Sequence, residues 1–248
     1  MLLQDLFKMV KLRHLHSKRG VFQYHPHNHS PDRSSKLESL QTLHSICPCE
    51  ECRNFLLRTP NLRKLGFYGD LISNDFVLMF PDLEYLEYLE TLSFCQRGFL
   101  MNRATTLPPV VKFPRTVTWL TLKNTFLKWE ELSILQTLPS LEVLKLIEKG
   151  CQGPIWNTNE LEEGFSQLKC LRLQDLHIEG WNASEDQFPR LEVRKSRRSA
   201  EESAREILEE RRNTRGDDGC INLLAISNYF KLDDDKSGYP CISHTHRF

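Results

Sequence analysis

No stretch of this chain approaches the 18 consecutive apolar residues that a membrane-spanning helix needs. The dipeptide Gly-Lys does not occur, so the phosphate loop G-x-x-x-x-G-K-[ST] is absent. G-x-S-x-G and H-E-x-x-H are missing too, and the sequence carries no recognisable catalytic apparatus. Surplus charge is lacking as well. The 33 Lys and Arg balance 33 Asp and Glu, which implies no bulk attraction to nucleic acid or to a membrane. The opening MLLQDLFKMVKLRHL is not expected to act as a secretory signal, because Asp5, Lys8 and Lys11 interrupt its apolar residues. The eight cysteines are therefore expected to be reduced thiols in a cytoplasmic protein, and the glycosylation triplets at Asn28 and Asn182 to carry no sugar.

What the chain does have is a phrase that returns. FPRTVTWLTL (113–122), LPSLEVLKL (138–146) and FSQLKCLRL (165–173) share their leucines and little else. A catalytic motif occurs once, whereas a recurring phrase is architecture. Leu15, Leu43, Leu65, Leu92, Leu120, Leu144 and Leu171 occupy one anchor position, 22 to 28 residues apart and 26 on average. The pattern L-x-x-L-x-L surrounds them, as in Leu62, Leu65 and Phe67 or Leu141, Leu144 and Leu146. In the first two copies the third position falls on Ser17 and Ser45. That period and pattern define leucine-rich repeats, each one short strand with a return segment. Strand side chains alternate faces, so Leu120 and Leu122 point to one side while Trp119 and Thr121 point to the other. One such strand cannot bury its leucines alone. The expected fold is an α/β solenoid of about seven repeats, its parallel sheet on the concave face and its return segments irregular. Phe80-Pro81, Phe113-Pro114, Leu138-Pro139 and Phe188-Pro189 precede strands, where a proline at the first position is tolerated.

Residues 1–195 form the repeat domain in this reading, interrupted by irregular stretches at 22–35, 95–111 and 151–164. The phrase FPRLEVRKS begins a further repeat but has Arg194 and Ser196 at its next anchor positions, so the array ends there. Residues 196–218 are expected to form a short charged helix, with capping-box spacing at Ser199 and Glu202 and opposite charges four apart. Residues 219–248 show neither helical nor strand periodicity and are expected to be a disordered tail.

Two constellations imitate metal sites. His44, Cys47, Cys49 and Cys52 offer zinc-type ligands, but C-x-C-x-x-C lacks a second ligand pair at a suitable distance, and a cysteine-rich turn between repeats is the better reading. His25, His27 and His29, and Cys241, His244 and His246, read as a polar loop and a tail. Asp233, Asp235, Ser237 and Gly238 start like a calcium loop, but its twelfth position holds His244 where a bidentate glutamate is needed. No metal and no cofactor is expected in this chain.

The outward side of the sheet carries the functional signal. Its charged members are Arg13, Lys18, Arg63, Lys64, Lys123, Lys145, Lys169 and Arg172 against Glu90 and Glu142, a surplus of six positive charges on a neutral chain. Cations can simply solubilise an exposed sheet. Tyr68 and Trp119 share the lane, however, and aromatics and arginine are the types that anchor partners. Arg13, Arg63, Lys64, Tyr68, Trp119, Lys123, Lys145, Lys169 and Arg172 are the candidate partner-binding residues.

RTPNLRKLGFYGDL (58–71), GPIWNTNELEEGFSQLKCLRL (153–173), HIEGWNASEDQFPRLE (177–192) and SAEESAREILEERRNTRGDDG (199–219) resemble plant intracellular immune receptors, and more narrowly the late blight resistance protein homologues of the nightshade family. The resemblance covers most of residues 1–218. It implies a non-enzymatic sensor region whose receptor holds ADP or ATP in an upstream nucleotide-binding domain, and whose recognition of a pathogen effector ends in hypersensitive cell death. The expected partner is such an effector or the receptor's own nucleotide-binding domain. This chain carries neither that domain nor the coiled coil, breaks the pattern after Glu192 and departs from the family from Cys220 onward, so a fragment of a receptor is expected. The alternative is the substrate-receptor portion of an F-box ubiquitin ligase, which uses similar irregular repeats.

Overall fold

Alternation of leucines decides the front of the molecule. The computed structural model describes residues 7–16, 35–48, 52–98, 103–159, 163–176, 178, 180–183 and 185–191. In chain order its strands are β1 (His14–Leu15), β2 (Thr42–Ile46), β3 (Lys64–Gly69), β4 (Thr91–Gln96), β5 (Trp119–Lys123), β6 (Leu127–Lys128), β7 (Val143–Ile147), β8 (Cys151–Gln152), β9 (Ile155–Asn157), β10 (Cys170–Gln174) and β11 (Gly180–Asn182). Seven of them make one sheet in the order β1-β2-β3-β4-β5-β7-β10, every pair parallel. The register sets the anchors opposite one another, Leu15 to Leu43, then Leu65, Leu92, Leu120, Leu144 and Leu171. The expected leucine-rich repeat solenoid is what the chain forms.

The anchors align because burial leaves them no alternative. Leu43, Leu65, Leu92, Leu120 and Leu144 are completely buried, and burying a leucine contributes about 1.5–3 kcal/mol relative to leaving it exposed. A slip of one residue would turn each of them to solvent. The backbone fixes the same register. The carbonyls of Arg13, Gln41, Arg63, Glu90, Thr118 and Glu142 each accept two N–H groups from the entry of the next strand.

The structure departs from the sequence reading in three places. Ser45 does not fill the third position of its phrase. It takes a left-handed φ of 67°, the ladder bulges, and Ile46 pairs with Phe67 in its stead, fully buried. Burial of Ile46 rewards the extra residue that burial of a serine hydroxyl would not. Pro139 lies ahead of its strand as expected, but it serves a turn there, as do Pro60 and Pro189: in 59–62, 138–141 and 188–191 the last N–H bonds to the first carbonyl, with proline second. That is the turn position for which proline's fixed φ is preset.

The third departure is the return side, expected to be irregular throughout. β6 pairs with β8 and β9 with β11, all parallel, while single parallel bridges join Val77 to Thr106 and Thr105 to Leu127. A second ladder therefore runs behind the repeats from β3 to β10. It is tied by Thr125 Oγ1 donating to the Gly150 carbonyl at 2.6 Å and Thr158 Oγ1 to the Asn182 carbonyl at 2.8 Å. Trp129, Trp156 and Trp181 stack in file beside it, with centroids 5.0 and 5.2 Å apart. Phe165 and Phe188, themselves stacked, meet Trp156 edge-on. Two short helices complete the described return segments, the α-helix Cys52–Leu56 and a 3₁₀ helix at Trp129–Thr137, with a last 3₁₀ turn at Glu185–Gln187.

The helix expected over 196–218 and the tail over 219–248 lie outside the described residues, as do Lys18, Cys49, His25, His27, His29, Cys241, His244 and His246. No helix among the described residues is long and apolar enough to cross a membrane.

Candidate functional site

Each strand of the large sheet offers the same outward positions, so the front is a set of columns running across the repeats. Two residues before the anchors stand Arg13, Gln41, Arg63, Glu90, Thr118, Glu142 and Lys169. In this column Arg63 pairs with Glu90, and Lys169 Nζ lies 2.7 Å from Glu142 Oε1. Both pairs join neighbouring repeats, and all four side chains stay close to half exposed, so each pair contributes little to stability. Their consequence is local. Two of the expected partner-binding cations already have acidic neighbours.

Lys123 needs a correction. Expected to project its charge from the face, it is only 7% exposed, and its Nζ sits 2.8 Å from Glu148 Oε1. Glu148 lies just beyond β7 in a left-handed conformation, with φ 45°, and also accepts from Asn124 Nδ2 at 3.4 Å. The aliphatic stem of Lys123 is buried while its ammonium stays ion-paired, as a long cationic side chain allows. With Lys18 outside the described residues, the face holds seven cations, and Glu148 raises its acids from two to three.

One residue after the anchors the column reads His16, His44, Gly66, Ser93, Thr121, Lys145 and Arg172. It divides into two ends. At the first, the His16 and His44 rings stack 5.1 Å apart, and His14 Nδ1 is 3.0 Å from Thr42 Oγ1. The His44 ring occupies the space left by the missing side chain of Gly66, where a methyl group would collide with His44 Nδ1 and stand 2.9 Å from Ser93 Oγ. Burial lowers the His44 pKa to about 4, helped by His16 and Lys64. Burial also lowers that of His16, followed by the influence of His14 and Lys64. The protonated forms of the His16 and His44 rings are therefore disfavoured in the fold. Sequence reasoning passed over His14 and His16, which flank an anchor, and weighed His44, which follows one, only as a zinc ligand.

At the other end Lys145 Nζ lies 4.4 Å from the centre of the Trp119 ring, and Trp119 Nε1 donates to Thr121 Oγ1 at 3.3 Å. Arg172 stands opposite Lys145 in register and donates from Nη2 to Gln174 Oε1. The structure thus gathers Trp119, Lys145, Lys169 and Arg172 on three adjacent strands. Arg63, Lys64 and Tyr68 lie on or beside β3, and Arg13 precedes β1 at the edge.

The cysteine-rich turn holds no ligand geometry among its described members. Cys52 Sγ donates to the Cys47 carbonyl at 2.8 Å.

Parallel in-register strands, leucine anchors and a polar front define the class: this is a leucine-rich repeat protein. No protein-family model matches the chain. Curated relatives place it more narrowly. Over 197 residues, 75% of the chain, it is 32% identical to late blight resistance protein homologue R1B-16 of Solanum demissum. A second late blight resistance protein homologue of that species is 31% identical over 197 residues, and a third, R1B-13, is 31% identical over 195. The described solenoid is thus a resistance-protein-like region. It spans 14% of the length of R1B-16, 23% of the second homologue and 16% of R1B-13.

Proposed function

We propose that the chain is the recognition part of a disease-resistance receptor, non-enzymatic and cytoplasmic, which binds a protein through the front of its large sheet. The partner is a pathogen effector or the receptor's own nucleotide-binding domain, and any ADP or ATP is held by that separate domain. The single observation that carries this reading is the front itself. Seven strands in register hold cations and aromatics outward in a region similar to late blight resistance protein homologues. Extended sheet faces of this kind are what solenoids use to bind.

Expression of the tagged chain in leaf tissue with proximity labelling tests it. Charge reversal at Lys145, Lys169 and Arg172 is expected to remove specific partners, and because all three residues are half-buried, thermal unfolding of the variant checks that the fold is kept. Reversal of Lys112 and Lys128, exposed on the return side, is expected to leave labelling intact. The opposite outcome, loss with the return-side variant alone, sinks the proposal.

A further inference from the structure

Met9 stands six residues ahead of its anchor Leu15, the place held in other repeats by Leu37, Leu86, Leu138 and Phe165, all of them buried. Met9 itself is 48% exposed, and Val10 beside it is 55% exposed. The backbone there is regular, because the Leu12 N–H bonds to the Met9 carbonyl as the Leu40 N–H does to that of Leu37. Met9 and Val10 are thus held in the ordinary turn of a repeat and face solvent because β1 ends the described sheet on this side. Leu12 and Leu15, by contrast, pack against the core.

Cations rim the exposed pair. Lys11 and Arg13 follow it, both exposed, and residues 7–16 contain no acid. At the corresponding turn of the next repeat Lys36 and Glu38 cancel. Over residues 1–33, six Lys and Arg stand against two Asp, on a chain whose net charge is zero. A second copy does not suit this end, because a two-fold contact would set Lys11 and Arg13 against their own counterparts. A stable protein interface takes about 800 Å² from each partner, and two exposed apolar side chains supply little of that. A membrane surface needs neither such an area nor a complementary shape. Apolar side chains enter the headgroup layer while cations meet anionic lipids.

We propose that the β1 end of the solenoid docks on an anionic lipid surface, Met9 and Val10 entering the headgroup layer and Lys11 and Arg13 lying on its negative charges. The cytoplasmic leaflet of a membrane carries such charge. Docking by this end leaves the front of the large sheet uncovered, so the two surfaces can be occupied together and tested apart.

Flotation of the full chain with vesicles tests the proposal. Vesicles of phosphatidylcholine and phosphatidylserine are expected to carry the chain, and vesicles of phosphatidylcholine alone to leave it behind. High salt should release it, because screening shortens the reach of surface charge. Lys11→Gln and Arg13→Gln are each expected to weaken partitioning roughly fivefold, the scale of one basic residue near an anionic leaflet. Met9→Ser combined with Val10→Ser should weaken it at least as much, through the lost apolar contact. Lys11→Arg with Arg13→Lys keeps the charge and should bind as the parent does, as should Lys112→Gln with Lys128→Gln on the return side and Lys169→Gln on the front. Undiminished flotation of both the Lys11/Arg13 and the Met9/Val10 variants overturns the proposal. So does equal flotation with the two kinds of vesicle, or none with either. A concentration-dependent dimer in sedimentation velocity, abolished by Met9→Ser with Val10→Ser, overturns it in favour of a second copy at this end.

Discussion

His44 is the side chain whose position on the front has the clearest consequence for pH. Its ordinary pKa of 6.5 falls to about 4 in the fold, mainly through burial. Between those values the unfolded chain binds a proton that the folded chain refuses, so stability is complete above about pH 6.5 and declines as pH falls toward 4. His16, packed on His44, shifts in the same direction, and His14 and Lys64 add positive charge to the cluster. The urea midpoint is expected to drop through this window, and His44→Gln to flatten the drop. An unchanged slope in that variant would move the effect to another group. None of this could be read from His44 as a letter, because the ring's burial depends on Gly66 in the next repeat leaving room for it. Lys123 failed as an outward cation for a similar reason. Its partner Glu148 belongs to the following repeat and lies outside the alternating strand pattern that made the lane legible.

At the scale of elements, the large sheet was legible and the return side was not. Anchor leucines repeat because strand geometry is rigid, so one residue type at one position reports the register. The bulge at Ser45 escaped because alternation has no term for a left-handed residue that transfers the buried slot to Ile46. Return segments differ in length, which hid a second regularity: Trp129, Trp156 and Trp181 recur at nearly the repeat spacing and stack on one another. Trp156 is the centre of that file, 1% exposed, with Trp neighbours on both sides and two phenylalanines edge-on. Trp156→Ala is expected to cost about 3–5 kcal/mol, as large aromatic truncations in a core do. Trp156→Phe should recover much of it. Thermal unfolding followed by circular dichroism measures both, and a loss below about 1 kcal/mol, the scale of an ordinary surface change, would show the file to be decoration.

For the whole molecule, stability is a sum over repeats and their neighbours, so protection should follow position. β1 is a two-residue strand with one neighbour among the described residues, and Met9 and Val10 ahead of it are 48% and 55% exposed. β4 and β5 have partners on both sides and anchors with no exposure. Amide hydrogen exchange is expected to be fastest at β1 and slowest across β4 and β5. Equal protection across the sheet would mean that the chain opens as one unit and not repeat by repeat.

The second ladder has a geometric consequence for whatever the front meets. A solenoid arches when its two walls advance by different amounts per repeat, because the wider wall must fan out around the narrower one. From β3 to β10 both walls are joined by parallel strand pairing or bridges, and paired strands advance by about 4.8 Å on either wall. Equal steps leave little cause for the stack to bend. The surface carrying Tyr68, Trp119, Lys145 and Arg172 is accordingly expected to curve less than that of a solenoid with an unpaired return side, which small-angle scattering would measure. It suits a partner with a flat or extended contact surface better than a rounded body cupped from three sides.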